Sequence, residues 1–149
     1  MRKLSFFVLS AVLISLWINP SLQAAERVRV KVQVLTASNE GTDFNLVNDA
    51  YRDQLIELFS YSHYEQEEPV LVSLQRAERS KIDLPDGYEL ILTLQAVESN
   101  RVLVQALIRR EGRQYVDTVL SILNPGVVFL GGPPVGANGA LIIVLETGF

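Results

Sequence analysis

Apolar and polar side chains alternate strictly over residues 27–35, where valine occupies every second position. Successive side chains of an extended chain point to opposite faces, so the valines at positions 28, 30, 32 and 34 would share one face. The arginines, lysine and glutamine between them would share the other face. This period of two predicts a half-buried β-strand with a solvated, basic outer face.

The next part of the chain changes to a helical period. Its apolar residues recur at intervals of three and four, which places them on one face of a helix: Phe44, Val47, Tyr51, Leu55 and Leu58. We therefore predict one amphipathic helix over residues 44–59. Its apolar face must pack on the sheet that the remaining segments form.

Beyond residue 76 the chain alternates again, in short segments separated by turn residues. The alternating segments are 88–97, 101–109 and 114–123. The links between them are short, which is typical of an antiparallel meander. Segment 64–75 predicts one further strand, with Pro69 at an edge or a bulge.

The chain carries no charge from Thr118 to Leu145. This length would allow a membrane span, but Pro133 and Pro134 interrupt any helix there, and lipid offers no partners for the freed backbone groups. The glycines match neither a dinucleotide-binding nor a phosphate-binding loop. We therefore predict two strands, 127–130 and 140–145, buried on both faces and joined by a proline-stiffened loop of about nine residues.

Together these patterns predict an α+β fold, an antiparallel sheet of about five to seven strands with one amphipathic helix packed on it. No internal repeat or low-complexity linker divides the chain. We place a single domain at residues 26–149, a length that suits one hydrophobic core.

The first residues have the three parts of a secretory signal peptide. A basic pair precedes an apolar run over residues 4–18, and small residues follow that suit cleavage after Ala24 or Ala25. The run is short for a membrane span of about 20 residues, so a cleaved signal at 1–25 is favoured over an uncleaved anchor. We expect an exported protein, periplasmic or extracellular, with no transmembrane span after cleavage.

The charge composition of the chain excludes some classes of binding partner. The chain has 13 basic and 17 acidic residues, and removal of the predicted signal leaves 11 basic residues and a net charge of −6. Such a surface repels nucleic-acid phosphates and anionic lipid, so neither is an expected partner. The chain has no cysteine, so burial rather than disulfide bonds must hold the exported domain together.

Few residues suit catalysis or metal binding. His63 is the only histidine, which excludes a metal site built from several imidazoles, and no G-x-S-x-G motif presents a serine nucleophile. Glu65, Glu67 and Glu68 form the densest carboxylate cluster, and we interpret them as solvated charge because alternation points neighbours to opposite faces. We expect no cofactor and no enzymatic activity, and a hydrolase using His63 is the remote alternative.

Two surfaces are candidates for contact with a partner protein. Tyr61 and Tyr64 follow the predicted helix, where exposed aromatic side chains would anchor an interface. Core packing is an equal alternative for both tyrosines. The predicted loop presents Pro133, Pro134 and Val135 as a rigid, uncharged surface.

Four segments resemble a pattern found in small exported bacterial proteins without an assigned function: LFSYSHY (58–64), DLPDGYELILTLQAVE (83–98), VFLGGPP (128–134) and GALIIVLE (139–146). The shorter VFLGG…LIIVL is similar to the paired strands of secretin channels. These resemblances imply a role in the cell envelope, in envelope or secretion-apparatus assembly. We therefore expect a non-enzymatic domain that acts by protein–protein interaction. The alternative is a small-ligand or lipid binder with an apolar pocket between helix and sheet.

Overall fold

The computed structural model describes residues 26–46 and 49–148, which fold into two β-sheets with one α-helix. The predicted signal peptide lies outside the described residues. The strands are β1 (Arg27–Ser38), β2 (Phe44–Asn45), β3 (His63–Gln66), β4 (Val70–Gln75), β5 (Arg79–Asp83), β6 (Glu89–Val97), β7 (Arg101–Arg110), β8 (Arg113–Leu123), β9 (Gly126–Val135) and β10 (Gly139–Thr147), and the helix is α1 (Arg52–Leu58). Short 3₁₀ turns lie at Asp49–Tyr51 and Pro85–Gly87. The fold is sheet-dominated, so the predicted α+β class is wrong.

The six strands of sheet A run in the order β2-β3-β1-β10-β9, and β4 lies beside β1 on the same side as β3. β1 is therefore paired along both edges. β4 pairs with its first half, β3 with its last residues, and β10 with the opposite edge. Sheet B is a four-stranded antiparallel meander, β5-β6-β7-β8. The one sheet of the prediction is thus two sheets.

The main core lies between the two sheets. The four valines of β1 that were expected to share a face are all buried there, which confirms that half of the prediction. The opposite face was predicted to be solvated, but it is exposed only at Arg27 and Arg29 and is buried from Gln33 onward. They meet side chains from β6, β7 and β10: Leu90, Leu92, Leu94, Val104, Ala106, Ile108, Leu141, Ile143 and Leu145. Full burial of one large apolar side chain contributes about 1.5–3 kcal/mol, which makes this interior the main source of stability.

A second, smaller core lies on the outer face of sheet A, where α1 packs. Leu55 of α1 is fully buried there with Leu35, Tyr64, Ile142 and Val144. β10 is thus covered on both faces, and residues 141–145 are buried throughout. This confirms the predicted strand 140–145 with two buried faces. The same prediction is wrong for 127–130, which is only partly buried and has Val127 40% exposed.

The helix is much shorter than the predicted span 44–59, because the beginning of that span joins sheet A. It forms β2 instead, where the Tyr64 N–H donates to the Asp43 carbonyl oxygen at 3.0 Å and the Phe44 and Tyr64 rings stack. Leu58, predicted on the buried stripe, is 58% exposed. A contact with a distant strand has overridden the helical period of the local sequence.

The predicted meander is confirmed, since β6, β7 and β8 match its three segments in order and pairing. Segment 64–75 is two strands rather than one, because the chain leaves sheet A at residues 67–69, around Pro69. β5 is an additional strand that the pattern does not predict. None of the described residues forms a helix long and apolar enough to cross a membrane.

The proline segment is also a strand, not the predicted nine-residue loop. β9 continues through Pro133 and Pro134 to Val135, and only residues 136–138 turn the chain into β10. Proline is compatible with β9 because β9 is an edge strand, where a missing N–H costs no ladder bond on the open side.

Candidate functional site

Five described strands lie at the edges of the sheets: β2, β4 and β9 in sheet A, and β5 and β8 in sheet B. Edge strands expose N–H and C=O groups that pair readily with another chain. β4 lies beside β5 along one side of the sandwich, and β8 lies beside β9 along the other. Each side therefore ends in a pair of edge strands from different sheets.

Four of these edges carry features that discourage pairing. β2 has only two residues, β9 contains Pro133 and Pro134, β5 has a charged residue at every second position, and β8 has Asp117 at its centre. β4, by contrast, has the sequence VLVSLQ, without charge or proline, and its Leu71 side chain is 66% exposed. Within the described chain, β4 is therefore the edge best suited to receive a partner strand.

A cavity of about 310 Å³ opens at the N-terminal end of β4, between the two sheets. We call it the edge cleft, and it is lined by Val34, Glu67, Glu68, Val70, Ile82, Asp83, Leu84 and Pro85. Its floor is apolar, since Val34, Ile82 and Leu84 belong to the main core. Its rim is acidic, with one carboxylate from β5 and two from the link between β3 and β4.

Two local breaks in the sheets create the edge cleft. On one wall, the Glu67 N–H still donates to the Val34 carbonyl oxygen at 2.9 Å, but Pro69 has no N–H to continue the ladder. On the other wall, β5 ends in the 3₁₀ turn, which the Leu84 N–H closes by donating to the Tyr88 carbonyl oxygen at 2.8 Å. Both sheets therefore diverge at this point and expose the edge of the core.

The charges of the rim are only weakly compensated. Among the described residues, the carboxylates of Glu67 and Glu68 have no hydrogen bond or ion pair. Asp83, with its side chain 89% exposed, lies 3.8 Å from Lys81, a surface pair of small net energy. Lys81 is bound instead by Glu89, and that hydrogen bond raises the pKa of Lys81. The rim therefore presents net negative charge beside an apolar floor, which attracts cationic groups.

The rim does not form a metal site. No group of three or more histidine, cysteine, aspartate or glutamate side chains in the described chain is arranged to hold a metal ion. All three glutamates of the predicted cluster are exposed, which agrees with their interpretation as solvated charge. Glu65 lies in β3, apart from the edge cleft, so the cluster divides between two environments.

The tyrosines proposed for partner contact lie largely beneath the surface. Tyr64 is fully buried, and its hydroxyl donates to the carbonyl oxygens of Leu55 at 3.2 Å and Phe59 at 3.1 Å. Tyr61 is half-buried and packs edge-on against the Tyr64 ring. Tyr64 therefore belongs to the second core, the alternative that the sequence left open, and offers no surface to a partner.

The proline candidates lie in β9, away from the edge cleft. Pro133 is buried, Val135 packs against the main core, and Pro134 is exposed. The Pro134 carbonyl oxygen accepts the Tyr88 hydroxyl at 3.0 Å, which ties the end of β9 to sheet B. Strand pairing places Pro134 in the same row of sheet A as Tyr64, with β1 and β10 between them. The five candidates therefore do not combine into one exposed surface.

His63 begins β3 and is half-buried. Its Nδ1 atom is buried and has no hydrogen-bond partner in the described chain, and Gly41 lies against the ring. A general base needs a second group that orients its imidazole. No described side chain orients His63 through Nδ1.

A chain of polar contacts ties α1 to sheet A at the margin of the second core. The Tyr51 hydroxyl donates to Glu146 Oε2 at 2.8 Å, and Lys31 Nζ lies 3.1 Å from the same oxygen. Burial and the neighbouring carboxylate raise the pKa of Tyr51 to about 12. Beside them, Gln66 donates its amide to Gln33, which is 3% exposed, at 2.7 Å. Because these groups bind one another, the contacts suit a structural role.

Local signals for the edge cleft are present in the sequence, but they are ambiguous. Pro69 indicates an edge or a bulge, and the uncharged VLVSLQ that follows it lacks the features that protect an edge. The cleft also needs Val34 and residues 82–85, which are distant along the chain. Only their approach in space joins an acidic rim to an apolar floor.

No known protein family, curated protein or solved structure matches this chain.

Proposed function

We propose that this protein is a non-enzymatic, exported domain that binds an extended segment of a partner protein along β4. A basic side chain of that segment occupies the edge cleft. The observation that carries this proposal is the coincidence of two features, an uncharged strand with one open edge and an acidic cleft at its end. Strand addition of this kind takes affinity from main-chain hydrogen bonds and specificity from adjacent pockets.

The energetics favour recognition of a short segment. β4 has six residues, and every second residue of a strand directs its N–H and C=O groups away from the paired side. Each hydrogen bond formed there contributes about 0.5–1.5 kcal/mol net. Alternate side chains of the added strand would extend the main core beside Val70 and Val72, which are partly exposed.

The edge cleft supplies the selectivity. A lysine or arginine has a long apolar stem and a charged end, so its stem suits the floor at Ile82 and Leu84 and its charge suits the rim. A carboxylate in the same position would meet Glu67, Glu68 and Asp83 and be repelled. The partner segment is therefore extended, alternately apolar, and basic at one end.

The location of this activity rests on the predicted signal peptide. Export would put the domain in the periplasm or outside the cell, and the resemblance to secretin strands favours a partner in envelope or secretion-apparatus assembly. A domain that lends a strand edge to such an assembly needs no cofactor.

The test is site-specific photocrosslinking in cells of the native host. A photoreactive amino acid at Leu71 is compared with the same group at Val119, also an exposed position, on β8 (66% and 55% exposed). We expect a crosslinked partner from Leu71 only, attached through a segment that contains lysine or arginine. The double variant Glu67→Lys/Glu68→Lys should lose it while retaining the wild-type melting temperature.

Three results would contradict the proposal. The first is equal crosslinking from Leu71 and Val119. The second is a crosslink that survives the charge reversal. The third is a crosslink to a second copy of the same chain alone, which would make β4 a homodimer edge.

A small-ligand binder is the second candidate, because a volume of about 310 Å³ lies at the lower end of the usual range for ligand pockets. The apolar floor and acidic rim would suit a small amphiphilic amine. Saturable binding of such an amine to the purified protein, lost in the charge-reversed variant, would favour this function if no crosslinked protein is found.

A further inference from the structure

A second cavity, about 420 Å³, lies beside the connection between β4 and β5 on the outer face of sheet B, at the opposite end of both strands from the edge cleft. We call it the arginine trough, and it is lined by Arg76, Ala77, Arg79, Thr93, Leu94, Gln95 and Gln105. It shares no lining residue with the edge cleft. Its chemistry is different as well, since it combines two cations with uncharged hydrogen-bonding groups.

Backbone hydrogen bonds fix the positions from which the two arginine side chains extend. The Ala77 N–H donates to the Leu94 carbonyl oxygen at 3.1 Å, and Ala77 has a φ of 62°, so the chain turns sharply against β6 just after Arg76. Strand pairing sets Arg79 opposite Thr93, and Thr93 opposite Gln105. One row across sheet B therefore runs from a guanidinium group to a hydroxyl and then to an amide.

Both arginines lack a counter-charge. Within the described chain, the side chains of Arg76 and Arg79 form no hydrogen bond and no ion pair. Other arginines of the same sheet do have carboxylate partners: Arg101 with Glu98, Arg109 with Glu89 and Arg110 with Asp86. Two uncompensated guanidinium groups at one cavity make a site for an anion, because each presents a planar fork of donors.

The floor of the trough limits the ligand to one anionic group. Gln95 Nε2 donates to Gln105 Oε1 at 3.2 Å, and Gln105 Nε2 donates to Asp117 Oδ1 at 2.9 Å. The amides therefore lead away from the arginines to a carboxylate. A second anion beside Asp117 would be repelled, whereas a hydroxyl group can donate to or accept from an amide there.

We propose that the arginine trough binds an acidic sugar, one uronic acid residue followed by a neutral hexose. The carboxylate of the uronic acid pairs with Arg76 and Arg79, and the hydroxyls of the hexose bind Gln95 and Gln105. This function is separate from partner binding along β4, since the two sites have different residues and opposite charge. It gives the protein a carbohydrate contact in addition to its protein contact.

The test is a ¹H–¹⁵N NMR titration of the purified protein with a disaccharide of one uronic acid and one neutral hexose. We expect shifts at the amides of residues 76–79, 93–95 and 105. The variants Arg76→Gln and Arg79→Gln should each weaken binding about tenfold, or about 1.4 kcal/mol. The matched control is Arg113→Gln, an exposed arginine on the β7–β8 hairpin that should bind as wild type.

The ligands themselves provide further controls. The methyl ester of the same disaccharide keeps its shape without its charge, and it should bind about tenfold more weakly. A disaccharide of two uronic acids should also bind more weakly, because its second carboxylate meets Asp117. The variant Glu67→Lys/Glu68→Lys should bind the sugar normally, which separates this site from the edge cleft.

Several outcomes would overturn the assignment. If the methyl ester bound as tightly as the acid, the arginines would not be binding the carboxylate. Acetate or inorganic phosphate binding as tightly as the disaccharide would indicate a bare anion site without sugar recognition. If the amides of residues 76–79, 93–95 and 105 do not shift at millimolar disaccharide, the arginine trough does not bind this ligand.

Discussion

Replacement of Tyr64 by phenylalanine tests the second core directly, because it removes one hydroxyl and leaves the ring. In the native protein that hydroxyl bonds the carbonyl oxygens of Leu55 and Phe59 at the C-terminal end of α1. The Leu55 oxygen keeps another donor, the Phe59 N–H at 2.9 Å. The variant therefore deprives mainly the Phe59 carbonyl of its partner.

The expected cost follows from these contacts. One neutral hydrogen bond contributes about 0.5–1.5 kcal/mol net, and a buried acceptor left unpaired costs about 1–3 kcal/mol. Because one of the two carbonyls stays paired, we expect the free energy of unfolding to fall by about 1–2 kcal/mol. The ring still stacks on Phe44 at 5.2 Å between centroids, so no packing is lost.

Urea denaturation followed by circular dichroism measures this change, and the denaturant dependence of the unfolding free energy should stay as in the wild type. The matched control is Tyr61→Phe. Tyr61 is half-buried beside the same ring, and its loss of a hydroxyl should change stability by less than about 0.5 kcal/mol. Equal stability of Tyr64→Phe and the wild type would refute the reasoning. If Tyr64→Phe abolished partner crosslinking without lowering the free energy of unfolding, Tyr64 would contact the partner rather than belong to the second core.

Three further predictions concern packing, pH and the β4 edge. Gly126→Ala should destabilise by about 1–3 kcal/mol in urea melts, because its Cβ would lie 2.5 Å from the Leu123 carbonyl oxygen, while Gly131→Ala, in ordinary contact, should not. The pKa of Tyr51 is higher in the folded protein than in the unfolded chain. Its contribution to the free energy of unfolding is therefore complete below pH 10 and is lost as the pH rises towards 12. In urea denaturation between pH 10 and 12, the free energy of unfolding should fall less for Tyr51→Phe than for the wild type. An equal fall with pH in both proteins contradicts this. With the photoreactive amino acid moved to Ser73, which is exposed on the same face of β4, Leu71→Lys should leave the melting temperature unchanged but abolish the crosslink.

Alternation along the chain was sufficient to identify β1, β6, β7 and β8, because a period of two depends only on which side chains face the core. The continuous apolar run of β10 was equally informative, since a strand covered on both faces has no polar side. The same local reasoning excluded a membrane helix near Pro133 and Pro134. These elements needed no knowledge of their partners.

The fold class required tertiary information. The first residues of the predicted helix form β2 instead, because Phe44 stacks on the Tyr64 ring and its backbone pairs with β3. A helical period states which residues lie on one face, but it does not state whether a distant strand competes for their backbone groups. This competition shortened the helix and turned an α+β prediction into a two-sheet fold.

The candidate sites show the same division. Sequence alone indicated a break at Pro69, but it interpreted Glu67 and Glu68 only as solvated charge and placed Pro133 and Pro134 in a loop. It did not establish that β4 would be an open edge, or that residues 82–85 would face Val34 across a cleft. Which strands pair, and which edges stay open, depends on contacts between residues far apart in the chain, and such contacts leave no local period to detect.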